Sequence, residues 1–193
     1  GSSSTCWKAL VMRRGGGKQK GAAFEREICK KLSLWMSNGR HEDLYWRSSM
    51  SGGRSTVAFA KGKRLAAQAG DISCINTMGQ KLTDAFLIEL KFYKDLNYAG
   101  LLTDRGHLVK FWKETKRQAL RYKKLPFLLC KQNQQPATVC LSREGMRLLD
   151  LDPLISVPSL NLRIVLLDVF LQKAVRLPDG TNHRPRRIQR LAA

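Results

Sequence analysis

An α/β domain built on a mixed β-sheet is the fold class this chain predicts, and three patterns predict it. Phe24, Ile28, Leu32 and Trp35 recur at helical spacing. Residues 85–93, Ala-Phe-Leu-Ile-Glu-Leu-Lys-Phe-Tyr, read as a strand with one wholly apolar face. A basic segment with Trp112, Thr115, Ala119 and Tyr122 along one helical stripe is followed by the apolar run Phe127-Leu-Leu-Cys130. The expected core order is helix, strand, strand, strand, helix, strand, with helices packed against the sheet.

Taken in order, residues 1–20 are Gly-, Ser- and Lys/Arg-rich and read as a flexible basic arm. The opening Gly1-Ser2-Ser3-Ser4 resembles the scar of a cleaved tag and carries no information about the fold. A helix is expected from Gly21, stopped by Asn38-Gly39. Residues 44–47 form a short strand. Residues 48–69 carry much positive charge and little periodicity, the mark of a long functional loop. Residues 71–76 form a strand that leads through residues 77–83 into the 85–93 strand, and a hairpin is the natural connection. With its turn centred on Gln80, Asp71 faces Glu89 across the pair, Cβ atoms about 5 Å apart. After a Gly/Asp-containing stretch, residues 108–124 read as a helix that Pro126 cannot continue. Residues 127–130 and 138–141 come next as strands, 142–149 as a short helix and 163–174 as a last strand. The tail from Asn182 is basic. The division expected is an arm (1–20), a core (21–131), a C-terminal extension of the core (132–181) and a basic tail (182–193).

The charge is the strongest global signal. Thirty-five Lys and Arg face 15 Asp and Glu, a net charge of +20 in 193 residues with a pI near 10.3. Such an excess points to a polyanionic partner, nucleic acid before all others. A membrane-surface protein would show a basic amphipathic helix or a lipidation motif, and neither is seen. No apolar run approaches the length of a membrane span, and no signal peptide is visible, so a cytoplasmic, nucleoid-associated protein without membrane contact is expected. The five cysteines are odd in number, scattered and free of C-x-x-C spacing. They read as buried thiols in a reducing compartment, not as a disulfide framework, a zinc site or an iron–sulfur site.

The chemistry lies in the 85–93 strand. Phe86, Ile88, Leu90 and Phe92 make its apolar face, while Glu89 and Lys91 share the other with Ala85, Leu87 and Tyr93. Charge on an otherwise core-like strand is costly unless it is paired, hydrated or bound to metal. Phosphodiester hydrolysis uses a divalent cation to polarise the phosphate, and Mg²⁺ needs only two or three protein oxygens. Asp71, Glu89 and the Leu90 carbonyl are the candidate ligands, with Glu25 on the first helix completing an acidic cluster. Lys91 would orient or deprotonate the attacking water, or balance charge in the transition state. Glu-x-Lys spacing alone says little. The second copy, Glu114-Thr-Lys116, falls in a charged helical segment and reads as a solvated face. His41, His107 and His183 lack metal-ligand spacing, Ser51 lacks His and Asp partners for nucleophilic catalysis, and the glycines before Lys18 lack the P-loop pattern.

Four motifs in order carry a resemblance: Lys20-Gly-Ala-Ala-Phe-Glu25-Arg26, Arg47-Ser-Ser-Met-Ser51-Gly52, Gly70-Asp71-Ile72 and Ile88-Glu89-Leu90-Lys91. Over residues 18–131 the chain resembles the PD-(D/E)XK nuclease superfamily, and within it archaeal-type Holliday junction resolvases and related phage endonucleases. Gly70 stands where the family pattern has proline, the loop over residues 52–69 is longer than in the compact resolvases, and the chain continues well beyond the core. The resemblance implies a restriction-endonuclease-like αβββαβ core and Mg²⁺-dependent cleavage of branched DNA by a homodimer, with Mn²⁺ able to substitute. By position it implies that Glu25, Asp71, Glu89 and Lys91 are the catalytic set and that Ser51 lies near the scissile phosphate. Gln118-Ala-Leu-Arg-Tyr122 also resembles the Q-x-x-x-Y motif of RecB-like exonucleases, with a polar surface glutamine and a packing tyrosine as the plain alternative. Lys18, Lys20, Arg47, Arg54, Lys61, Lys63 and Arg64 flank the expected site and are the candidate DNA contacts. Two alternatives stand beside the resolvase-like reading. One is a restriction-like, nicking or exonucleolytic enzyme with the same site, and the other is a nucleic-acid-binding protein without catalysis.

Overall fold

The computed structural model describes residues 16–48 and 70–177. Helix α1 (Gly16–Met36) opens five residues before the expected start. Gly16 and Gly17, which make this stretch look like an arm, are poor helix formers, but the helix carries them anyway. Phe24, Ile28, Leu32 and Trp35 of its stripe are all buried, and Asn38 and Gly39 both take positive φ just past its end. Ser33 ties the helix to the next strand: its hydroxyl donates to the Cys29 carbonyl at 2.7 Å and accepts from the amides of Leu44 at 3.1 Å and Tyr45 at 3.2 Å. That fixes strand β1 (Tyr45–Arg47), which pairs antiparallel with β2 (Ile72–Cys74), Arg47 opposite Ile72.

The expected hairpin between β2 and the next strand does not form. Residues Thr77–Gly79 make a 3₁₀ turn and Gln80–Ala85 a short helix, α2. Asn76 starts the turn by accepting from the Met78 amide at 3.0 Å. The chain therefore turns round before β3 (Phe86–Tyr93), and Gly70 meets Ile88 in a parallel bridge. The sequence pattern places Asp71 beside the right stretch of β3 but in the wrong direction, because period-2 alternation reports faces and not strand polarity.

After β3 a 3₁₀ turn (Tyr98–Leu102) leads to α3 (His107–Arg121) and β4 (Leu125–Gln132), which returns parallel to β3 with Glu89 opposite Leu128. Strand β5 (Thr138–Leu141) comes next, then α4 (Arg143–Leu148) capped by the Ser142 hydroxyl, β6 (Ile155–Val157) and β7 (Leu162–Leu166). The main sheet has the order β3-β4-β5-β7-β6 and is mixed, parallel only at β3–β4. Three of its five strands come from residues after 132. The expected last strand over residues 163–174 is half helix: α5 (Leu167–Lys173) replaces its second part. Leu167 and Phe170 are buried on one helical side, while Asp168 and Lys173 complement the helix dipole at its two ends. Strand β6 escapes a sequence reading because Ile155 is exposed and its partner pattern is that of an edge.

Helices cover both faces, as the fold class requires. On one side α1 and α5 pack on Phe86, Ile88, Leu90, Phe127 and Leu129, with Trp35 and Phe170 ring centroids 5.0 Å apart. On the other, Leu108, Val109 and Trp112 of α3 pack on Leu128, Cys130 and Cys140, and the Trp112 indole donates to the Leu160 carbonyl at 3.0 Å. Cys29, Cys130 and Cys140 are buried free thiols. None of the described helices is long and apolar enough to cross a membrane.

Gly70 controls how β2 reaches β3. Its φ is +91°, and a Cβ there would sit 2.5 Å from the Ile88 carbonyl oxygen. Proline, with φ fixed near −65°, cannot take this conformation. Gly70→Ala is expected to lower the unfolding free energy by more than about 1 kcal/mol, read from urea midpoints. An unchanged midpoint would mean that the bridge is not under this steric control.

Candidate active site

Strand β3 is the outer strand of the main sheet, so every second residue presents its backbone amide and carbonyl to an open edge. Asp71 occupies that edge. Its amide donates to the Ile88 carbonyl at 2.8 Å, and its Oδ2 accepts from the Leu90 amide at 2.8 Å. The other side of Asp71 is held by the residue that follows β1, since the Ser48 amide donates to the Asp71 carbonyl at 2.8 Å. Because the amide and carbonyl of one strand residue project to the same side, the Leu90 carbonyl faces the Asp71 edge as well.

Lys91 gathers the carboxylates. Its Nζ lies 2.9 Å from Glu89 Oε2 and 3.6 Å from Asp71 Oδ2. Asp71 is 9% exposed and Glu89 7%, so both acids sit where charge is expensive. Burial, then the neighbouring Asp71 charge, pushes the Glu89 carboxyl up to about 7, against the opposing pull of Lys91. Burial pulls the Lys91 amine down, but Glu89 and Asp71 together outweigh it, and the net shift is upward. Lys91 is therefore held as an ammonium between two carboxylates.

Of the other residues expected at the site, Glu25 points to Arg47, with which it forms a close ion pair. That pair ties α1 to the strand next to Asp71, since Arg47 lies opposite Ile72. Asp71 and Glu89 are the two carboxylates brought together. Among the described residues no three His, Cys, Asp or Glu side chains form a group that could hold a metal ion. Gln118 donates to Glu114 Oε1 at 3.1 Å, and Tyr122 packs with Leu87 and Ala119 where α3 covers β3. Lys20 is exposed on α1 and lines a shallow cleft with Lys94, Asn133 and Gln134. Ser51, Arg54, Lys61, Lys63, Arg64 and the side chain of Lys18 lie outside the described residues. The sequence reading missed Lys94 and the rings of His107 and Phe111 that lie against Tyr93. Alternation along β3 put Tyr93 on the Glu89 face, but nothing local pairs it with α3.

The two carboxylates that Lys91 brings together, with the Leu90 carbonyl on the Asp71 side of the strand, are the oxygen donors that suit Mg²⁺, which is commonly held by one or two carboxylates and keeps much of its water. The arrangement also has a measurable signature without any metal. Glu89 has its folded pKa near 7, above the 4.5 of the free side chain. Its contribution to stability is then present below about pH 4.5, declines as pH rises toward 7, and is gone above it. In EDTA, wild-type protein should lose on the order of 1–3 kcal/mol of unfolding free energy between pH 4.5 and 8 that Glu89→Gln does not lose. Parallel pH profiles for the two proteins would show that Glu89 titrates normally.

A family model described as "Phage putative PDDEXK endonuclease" matches residues 16–157, from the first residue of α1 to the last of β6. Searches of curated proteins and of solved structures each returned no match. The matched segment includes the whole Gly70-Asp71 to Glu89-x-Lys91 arrangement and most of the mixed sheet that carries it, and the chain belongs to this PD-(D/E)XK endonuclease family, a family of phosphodiester-cleaving nucleases.

Proposed function

We propose that the protein is a Mg²⁺-dependent DNA endonuclease that acts on branched or otherwise structured DNA, in the manner of a junction resolvase. The observation that carries the reading is the placement of Asp71 on the open edge of β3, its carboxylate 3.6 Å from the Lys91 ammonium that also holds Glu89. Membership of an endonuclease family supports the reaction class, and the +20 charge supports a nucleic-acid substrate.

Asp71, Glu89 and the Leu90 carbonyl would hold the divalent ion. When bound, such an ion supplies Lewis acidity toward a phosphate oxygen and makes water a better nucleophile near neutral pH. Lys91 has a raised pKa, so it keeps its proton. It serves as a hydrogen-bond donor that orients the attacking water and offsets the charge gathering on the phosphate, and it is a poor general base. Glu25 acts one step back: through Arg47 it holds β1, and β1 holds Asp71. A pair of symmetric cuts across a four-way junction requires two copies of the site, hence a homodimer.

The test is a set of labelled four-way junction, fork, duplex and single-stranded DNAs, each incubated with Mg²⁺ and with EDTA. Paired symmetric nicks confined to the junction support the resolvase reading. Degradation from ends instead supports an exonuclease, and salt-sensitive binding without any cleavage supports a binding protein. Asp71→Ala, Glu89→Ala and Lys91→Ala should each lower cleavage by roughly 10²-fold or more while DNA binding in Ca²⁺ stays near wild type. Wild-type cleavage rates in these three variants would remove the site from the mechanism.

A further inference from the structure

Tyr93 ends β3 on the face that also bears Glu89 and Lys91. The residue is 40% exposed, and its ring lies against two rings from the first turns of α3. The ring centroids are 4.5 Å from His107 and 5.5 Å from Phe111, and His107 stacks on Phe111 at 6.1 Å with an interplanar angle of 29°. His107 is exposed and Phe111 half-buried. Three rings from two elements thus hold one another in place while leaving π surface open to water, an arrangement a closed core does not need. Lys94 and Lys110 are exposed beside them, and neither has an ion-pair partner among the described residues. Along a strand, two residues span about 6.7 Å, so Tyr93 stands about that far beyond Lys91 on the same face of β3. The rings therefore lie within reach of nucleotides flanking a phosphate held at Lys91.

We propose that Tyr93, His107 and Phe111 form a stacking platform for an unpaired base of the nucleic-acid substrate, with Lys94 and Lys110 on the adjoining backbone. Base–aromatic stacking needs an unstacked base, since bases within a duplex already cover one another. The substrate class is therefore DNA with unpaired nucleotides next to the cleaved bond, such as a fork, a flap or the open centre of a branch. This deepens the nuclease reading above and rests on it for the position of the cut.

The test places 2-aminopurine at successive positions in the single-stranded arm of a forked DNA and follows binding in Ca²⁺, with an unforked duplex of the same length as control. Wild type should quench the fluorophore at one or two positions. Tyr93→Ala and His107→Ala should lose that quenching and bind the fork about tenfold more weakly, with duplex affinity changed by less than about twofold. Tyr93→Phe keeps the ring and should behave as wild type. Equal losses on fork and duplex, or quenching unchanged in both alanine variants, would overturn the platform; circular dichroism melts identify a variant that has not folded, and His107→Ala, at the helix surface, then decides. Binding in Ca²⁺ separates the two ideas. A fork-specific signature in a protein that never cleaves with Mg²⁺ overturns the nuclease reading alone, whereas cleavage without the signature overturns the platform alone.

Discussion

One backbone-to-side-chain pairing holds the site together: Asp71 on the exposed edge of β3. A carboxylate taken from water loses several kcal/mol unless its oxygens find donors. Here the Leu90 amide supplies one at 2.8 Å, while the Asp71 amide satisfies the Ile88 carbonyl at the same distance. The strand edge and the acid thus answer each other's unpaired groups. No side chain of β3 could do this, because consecutive side chains leave the sheet along its normal and not along its plane. The acid must come from another segment, entering edgewise, and Gly70 is the residue that lets that segment approach so closely.

The electrostatics argue against a purely structural role. Replacing a buried ion pair by apolar residues of similar volume is often neutral or stabilising. This site goes further, with two carboxylates against one ammonium, and burial first, then the Asp71 charge, raises the Glu89 carboxyl to about 7. An arrangement that leaves one buried acid undercompensated is a stability cost, and perturbed acids of this kind cluster where chemistry is done. By contrast, Glu114, with the same spacing to Lys116, is half-exposed and spends its oxygens on Arg117 at 2.6 Å. That is an ordinary surface pair worth little. Sequence spacing is identical in the two copies; burial and the second acid separate them.

Legibility in the sequence depended on which interactions are local. The α1 stripe and both faces of β3 could be read directly, because helical and strand periods are written into neighbouring residues. The short helix expected over residues 142–149 was equally local, and the structure starts it one residue later, with Ser142 as its cap. The convergence of Asp71 with Glu89 was also found, although by way of a hairpin that does not exist. An antiparallel turn and a parallel bridge both set residue 71 near residues 88–90, and the sequence pattern does not distinguish them; the deciding feature is α2, which with the 3₁₀ turn before it carries the chain back so that β3 runs parallel to the Gly70 segment. The failure at residues 167–173 has a similar cause. Leu166, Leu167, Val169, Phe170 and Leu171 form an apolar run that satisfies both periods, and only packing of Phe170 against Trp35 and Phe127 selects the helix. Glu25 was placed on the correct helix, but its engagement with Arg47 depends on where β1 lies, which Ser33 fixes from eleven residues away.

Edge position also explains how the proposed catalytic residues and the proposed stacking ring can share one strand. An interior strand has both edges paired and both faces covered, so it could offer neither the in-plane contact to Asp71 nor an exposed ring at its end. In β3 one edge pairs with β4 and the other is given to Gly70-Asp71. Its covered face beneath α3 runs from buried Leu87 through the half-buried ammonium of Lys91 to the open ring of Tyr93. Solvent access thus increases along the strand, from core to charge to stacking surface. Among the described residues α3 closes the Leu87 end with Ala119 and Tyr122, which leaves the Tyr93 end for a phosphodiester backbone to approach. The direction of approach is set by where the helix packs on the strand, and the unpaired base that meets Tyr93 first would bring the next phosphates toward Lys91.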